Sequence, residues 1–226
     1  MISQLVRGYG HRMKEEKVFI QSNGIKLEGL LSIHEALPVK GGVILCHPHP
    51  QYGGAMQNSV ITTSVEAASQ EGFSTLRFNF RGVGESTGSY GEGIGERGDV
   101  EAVVEYLSLK LQDSHPPLIL LGYSFGAWAG LPIGVRDRRI QGMVAIAPPL
   151  EMYDFGFLEG CKKRKLFIAG SRDLFCPSAL LEEWYQRLEE PKSLTIISGA
   201  DHFFSFHTHL LIEPLRKFFS GIVRSD

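Results

Sequence analysis

The sequence predicts an α/β protein: one domain with an open, mostly parallel sheet of about eight strands and helices on both faces. Three observations carry that expectation. Runs such as "GGVILCH" and "PLILLGY" are continuously apolar rather than alternating, which suits strands buried on both sides. Between the runs lie stretches whose apolar residues recur at helical spacing. No internal repeat, low-complexity segment or linker interrupts the alternation.

Along the chain, "KVFIQSNGIKLEGLLSI" reads as a hairpin, because Asn23-Gly24 suits a tight primed turn. "GGVILCH" is the third strand. Residues Asn58 to Glu71 set Val60, Ile61, Val65 and Ala68 at helical spacing and stop at Gly72. "STLRFNF" is the fourth strand, and the glycine-rich stretch from Arg81 to Gly98 reads as a long loop. Asp99 to Leu111 puts Val100, Val103, Val104, Leu107 and Leu111 on one face of an amphipathic helix. "PLILLGY" and the small-residue helix "FGAWAGLPIG" follow, then the strands "GMVAIAP" and "KLFIAG". Ser178 to Leu188 is a helix and "SLTIIS" the last strand. Phe206 to Phe219 is a final helix in which Pro214 is expected to introduce a kink. The domain spans residues 13–226; residues 1–12 read as a weakly structured extension, with Met13 an alternative start.

Composition narrows the function. Lys and Arg number 23 against 25 Asp and Glu, a net charge of −2, and no basic stripe or charged tail appears. Nucleic acid and anionic membrane are therefore not expected as partners. Cys46, Cys161 and Cys176 form no disulfide pattern and suit a reducing compartment. With no apolar run long enough for a signal peptide or a bilayer span, the expectation is a cytoplasmic protein.

The chemistry is concentrated in "LILLGYSFGAWAG". Gly122-Tyr123-Ser124-Phe125-Gly126 is a G-x-S-x-G placed where a buried strand meets a helix, a turn that lifts the serine hydroxyl above the sheet. Such a motif calls for an acid and then a histidine from later strand ends. "LFIAGSRDLFCP" supplies Asp173 and "LTIISGADHFF" supplies His202, each just after an apolar strand. Asp154, in "LEMYDFGFL", follows the sixth strand and is the rival acid; Asp173 is preferred because "GSRD" ends its strand more directly.

On these residues the chain resembles an α/β-hydrolase, and within that superfamily the small, lidless bacterial serine hydrolases. The matching pieces are "HPHPQYGG", "FNFRGVGESTGSY", "GYSFGA", "APP", "GSRD" and "GADHFF", from about residue 43 to residue 206. The resemblance implies ester hydrolysis without a cofactor. Ser124 is then the expected nucleophile, His202 the general base and Asp173 the group that orients the imidazole. A carboxylesterase for small esters is the reading preferred here. A thioesterase or small-amide hydrolase uses the same machinery, and a non-catalytic binding protein on this fold is the rival of another class. A peptidase is less expected, since no additional domain selects peptides. A homodimer is left open.

Acyl transfer also needs donors for the developing oxyanion. The backbone N–H of Phe125 is one expected donor. The second is expected from "HPHPQYGG", where Pro48 and Pro50 have no N–H and His49 between them does. His47 is expected to bond neighbouring loop backbone. A metal reading would join His47 and His49 to Asp201 or His202, but no further ligands stand at usual metal spacing, and no metal is expected.

Other features have blander readings. "RGVGESTG" follows a strand but opens no helix promptly, so it reads as a flexible loop at the edge of the site rather than a dinucleotide loop, with Arg81 tying it to the strand ends. Cys176 reads as a plain loop cysteine, His207 and His209 as surface residues, and Asp201 as a brace for the histidine loop or a solvated group. The connection from Ala147 to Lys165 is too short for a lid, so an open site is expected. Tyr52 and Phe203 are the expected substrate contacts, and Tyr90, Phe155, Phe157, Phe175 and Phe204 the other aromatics at its border.

Overall fold

Two residues with positive φ start the sheet: Asn23 at 46° and Gly24 at 83° turn β1 (Lys14–Ser22) back onto β2 (Ile25–Ile33), with Ser22 opposite Ile25. A tight primed turn needs that backbone at both centres, and Asn and Gly tolerate it best. The computed structural model describes residues 14–34, 39–111 and 116–223. The extension expected over residues 1–12 lies outside them.

The remaining strands are β3 (Gly41–Cys46), β4 (Phe73–Phe78), β5 (Leu118–Tyr123), β6 (Ile140–Ile146), β7 (Arg164–Gly170) and β8 (Lys192–Ile197). They form one eight-stranded sheet in the order β1-β2-β4-β3-β5-β6-β7-β8, antiparallel as far as the β2/β4 pair and parallel beyond it. In β3 the alternation of faces explains the continuous apolar run. Val43 and Leu45 join the core under α1 (Ser59–Gln70) and α5 (Ile212–Val223). Ile44 and Cys46 join the core under α2 (Ile94–Lys110), α3 (Phe125–Arg136) and α4 (Ser178–Gln186). All of β3 is buried because both faces are covered.

Several boundaries differ from expectation for identifiable reasons. Asn58 lies outside α1 as its N-cap, its Oδ1 accepting the Val60 N–H at 2.9 Å. The second helix starts at Ile94, ahead of Asp99, because the buried Glu96 carboxylate accepts the N–H groups of Gly91 and Gly93, both at 2.8 Å. The last helix is preceded by a 3₁₀ turn at Thr208–Leu211, so Pro214 falls in the first turn of α5, where its missing N–H costs nothing. No kink is needed there.

The "RGVGESTG" loop is not a loose edge. Glu28 of β2 accepts the Glu85 N–H at 2.9 Å and the Asn79 side chain at 2.8 Å, and Thr87 N–H bonds Lys26 O at 2.8 Å. Arg81 does not tie this loop to strand ends. It reaches α2, pairing with the buried Asp99 through Nε at 3.0 Å and Nη2 at 2.7 Å. Between β6 and β7 the chain makes one 3₁₀ turn, Gly156–Leu158, and carries no lid. Among the described residues, no helix is long and apolar enough to cross a membrane.

Candidate active site

The parallel strands deliver their carboxyl ends to one edge, and four loops meet there. Ser124 directly follows β5 with φ 54° and ψ −123°, a left-handed backbone that a side chain adopts only when its surroundings enforce it. The turn is fixed by Ser124 N–H on Ile146 O at 2.8 Å and by Ala127 N–H on Ser124 O at 2.9 Å. At Gly126 a Cβ would overlap the carbonyl oxygens of Cys46 and His47, so only glycine lets α3 start this close to β3.

His202 connects the predicted residues. Its Nε2 lies 2.9 Å from Ser124 Oγ, and its Nδ1 lies 2.8 Å from Asp173 Oδ2 and 3.0 Å from Oδ1. Asp173 Oδ1 also accepts the N–H groups of Phe175 at 2.8 Å and Cys176 at 2.9 Å. A carboxylate bonded this way requires the proton on His202 Nδ1, which leaves the Nε2 lone pair facing the serine hydroxyl. Asp154 is exposed and bonds the Gly156 N–H at 2.7 Å instead.

The loop carrying His202 is braced from both sides. Asp201 accepts the N–H groups of Phe203 at 3.1 Å and Ser205 at 2.9 Å, and these bonds hold its carboxyl below the usual carboxylate range. From below, the buried Tyr123 hydroxyl donates to His202 O at 2.9 Å. The sequence reading missed this residue, although a tyrosine inside an otherwise aliphatic buried strand was its signal.

"HPHPQYGG" resolves into two different histidines. His47 is buried; its Nδ1–H donates to Pro48 O at 2.6 Å and its Nε2 accepts the Phe80 N–H at 3.0 Å. Both ring nitrogens thus serve backbone, and burial pushes its pKa down to about 4. His49 faces the site, with Nδ1 accepting the Gln51 N–H at 3.2 Å and Nε2 3.3 Å from Tyr90 Oη. Burial lowers its pKa as well. Among the described residues, no acceptor bonds the backbone N–H of His49 or of Phe125. Nor does any trio of His, Cys, Asp and Glu among them lie close enough to hold a metal ion.

A cavity of about 350 Å³ opens over Ser124 and His202, with His49, Phe125, Tyr52 and Phe203 in its wall. Tyr52 and Phe203 are strongly exposed, whereas Phe155 and Phe204 are buried in the core and do not border the site. Pro149, Met152 and Tyr153, from the loop after β6, line the cavity and were not singled out in the sequence. Cys176 lies in the loop between β7 and α4 with its side chain buried in the core, and burial raises its thiol pKa. Two larger grooves, about 550 and 560 Å³, run past Pro117 and Gln141 near the amino ends of the strands and contain none of these groups.

Residues 38–156 match the family model described as "Serine aminopeptidase, S33". An uncharacterised protein of Rickettsia prowazekii (strain Madrid E) is 35% identical over 173 residues, covering 73% of this chain and 72% of that one. Among solved structures, an α/β serine hydrolase homologue from Coxiella burnetii is 32% identical with a TM-score of 0.83, covering 89% of this chain and 96% of that one. An α/β serine hydrolase without lid from Xanthomonas campestris is 27% identical with a TM-score of 0.83, covering 94% and 96%.

Proposed function

Because the chain belongs to the S33 serine aminopeptidase family of α/β-hydrolases, we propose that it is a carboxylesterase acting on small esters through an acyl-enzyme on Ser124. The observation that carries the reading is the unbroken chain from Ser124 Oγ through His202 to Asp173. His202 Nε2 takes the hydroxyl proton as Oγ bonds the ester carbonyl carbon, and the carbonyl electron pair moves onto oxygen. The N–H groups of His49 and Phe125 receive that oxyanion; losing one such donor costs about 3 kcal/mol in the barrier. Collapse expels the alcohol oxygen, which takes its proton from His202. Water then repeats the sequence to release the acid.

The family's description includes peptide cleavage, and the cavity argues against that for this chain. An aminopeptidase must hold a substrate ammonium, which calls for a carboxylate near the nucleophile. Among the described residues no Asp or Glu lines the cavity, and Asp173 is committed to His202 and two backbone N–H groups. The unpaired, buried cysteines support the cytoplasm as its compartment.

The test is intact mass after exposure to a fluorophosphonate, for the parent and for Ser124→Ala. One adduct on the parent and none on the variant is expected. A folded parent that takes no adduct would defeat the proposal and favour a binding protein on this fold. Kinetics on matched ester, thioester and amide substrates then separate the three hydrolase readings.

A further inference from the structure

Two groups of rings line the cavity, one against His202 and one around His49 and Phe125. The leaving alcohol must take its proton from His202 Nε2, so that half of the ester lies on the His202 side. There stand Phe175 and Phe203, with ring centroids 4.8 and 5.5 Å from the imidazole, and Phe203 is 63% exposed. The acyl half then lies on the other side, along His49, Phe125, Tyr52 and Tyr153.

That side is a set of rings that hold one another in place. The His49 ring lies 4.6 Å from Tyr52, 4.7 Å from Phe125 and 5.1 Å from Tyr90. Phe125 meets Tyr153 at 6.3 Å, and Tyr153 is stacked on Trp128 at 4.2 Å and 15°. The Arg97 guanidinium lies 5.4 Å from the Trp128 ring centroid, and this contact steadies the stack from behind.

Three phenols converge around these rings. Tyr52 and Tyr90 lie against the His49 ring and Tyr153 against Phe125; burial raises the pKa of Tyr90 and Tyr153, with Tyr153, Glu96, Glu92 and Tyr52 adding to the shift at Tyr90 and Tyr52 to that at Tyr153. Tyr90 Oη is taken by His49. Among the described residues, the hydroxyls of Tyr52 and Tyr153 bond no other residue, and no Lys, Arg, Asp or Glu lines the cavity.

We infer that the acyl half of the substrate is a flat, uncharged aromatic group carrying a hydroxyl that bonds the phenols of Tyr52 and Tyr153. The inference rests on the serine-hydrolase reading above. Aromatic side chains reward a planar ring by edge and face contacts that a saturated ring cannot match. A phenol both donates and accepts, so a pair of them satisfies a substrate hydroxyl in either sense. A carboxylate or ammonium on the same group would meet apolar rings and find no opposite charge among the lining residues. The alcohol half rests on Phe175 and Phe203.

The test uses ethyl esters of phenylpropanoic, cyclohexylpropanoic, para-hydroxyphenylpropanoic and para-carboxyphenylpropanoic acid, with the fluorophosphonate adduct measured alongside. The phenyl ester should exceed the cyclohexyl ester in kcat/KM by about fivefold, from aromatic contact. The hydroxyl should add about fivefold more, from one hydrogen bond, and the carboxyl ester should be the poorest. In the Tyr52→Phe/Tyr153→Phe double variant the ratio of hydroxyphenyl to phenyl should fall towards one. A cyclohexyl ester that matches the phenyl ester, or a hydroxyl preference that survives in the double variant, overturns the inference. Labelling of Ser124 without hydrolysis of any ester overturns it and leaves the serine hydrolase standing, whereas absence of labelling overturns both.

Discussion

Acid should weaken this fold through His47 before it acts on the carboxylates. In the folded protein both nitrogens of His47 are committed, Nδ1–H to Pro48 O and Nε2 to the Phe80 N–H. A second proton on Nε2 would face that N–H and break the bond. Burial is the larger cause of its lowered pKa, from 6.5 to about 4. Since the unfolded chain binds the proton first as pH falls, the stabilisation is complete above pH 6.5, declines below it, and is gone once pH passes about 4. At about 1.4 kcal/mol per pH unit the loss amounts to about 3 kcal/mol. Glu28, Asp137 and Asp201 are pulled below 4.5, 3.8 and 3.8, so their contributions begin to be lost only near those values, at the acid end of the His47 window, and are common to the proteins to be compared. His49 acts in the same sense as His47 and is present in both proteins to be compared. The assay is urea denaturation across that pH window for the parent and for His47→Gln, whose amide oxygen can still accept from Phe80 and does not titrate. The parent should lose about 3 kcal/mol more than the variant. Parallel curves would refute the reasoning, because the native state would then not be holding a neutral His47.

Asp173→Asn should keep the fold and lower kcat by about 10⁴, since an amide no longer selects the Nδ1–H tautomer of His202; steady-state kinetics check it. Tyr123→Phe removes the donor to His202 O and should cost about 1 kcal/mol of stability by urea titration, with kcat falling more than KM changes. Arg81→Ala leaves the buried Asp99 carboxylate with only the Ser22 hydroxyl among its side-chain partners and should cost about 3 kcal/mol, read as a fall in Tm, with the site chemistry intact in the surviving folded fraction.

The sheet and the Ser124–His202–Asp173 line were legible because each is written locally. Continuous apolar runs mark the strands covered on both faces, and Ser124, Asp173 and His202 follow the ends of β5, β7 and β8 by one, three and five residues. The start of α2 was not legible. Gly93-Ile94-Gly95 reads as loop until Glu96 is seen gathering the N–H groups of Gly91 and Gly93. Arg81 was misdirected for a similar reason, since its partner Asp99 becomes available only when α2 packs against the turn after β4. The aromatics divided according to tertiary burial, which spacing does not encode. Phe203 and Phe204 are neighbours in a polar loop, yet one is 63% exposed and the other fully buried. Tyr153 is not legible because its role depends on the stack with Trp128, formed between α3 and the loop after β6.

The left-handed backbone at Ser124 bears on how such a chain ages in a genome. A serine held at φ 54° costs about 1 kcal/mol or more that glycine would not incur. While turnover is under selection that cost is retained, because the hydroxyl is irreplaceable. Once selection on turnover lapses, Ser124→Gly becomes a stabilising substitution in an otherwise unchanged fold. A lineage that kept this scaffold for another purpose would therefore be expected to lose Ser124 early and its core late.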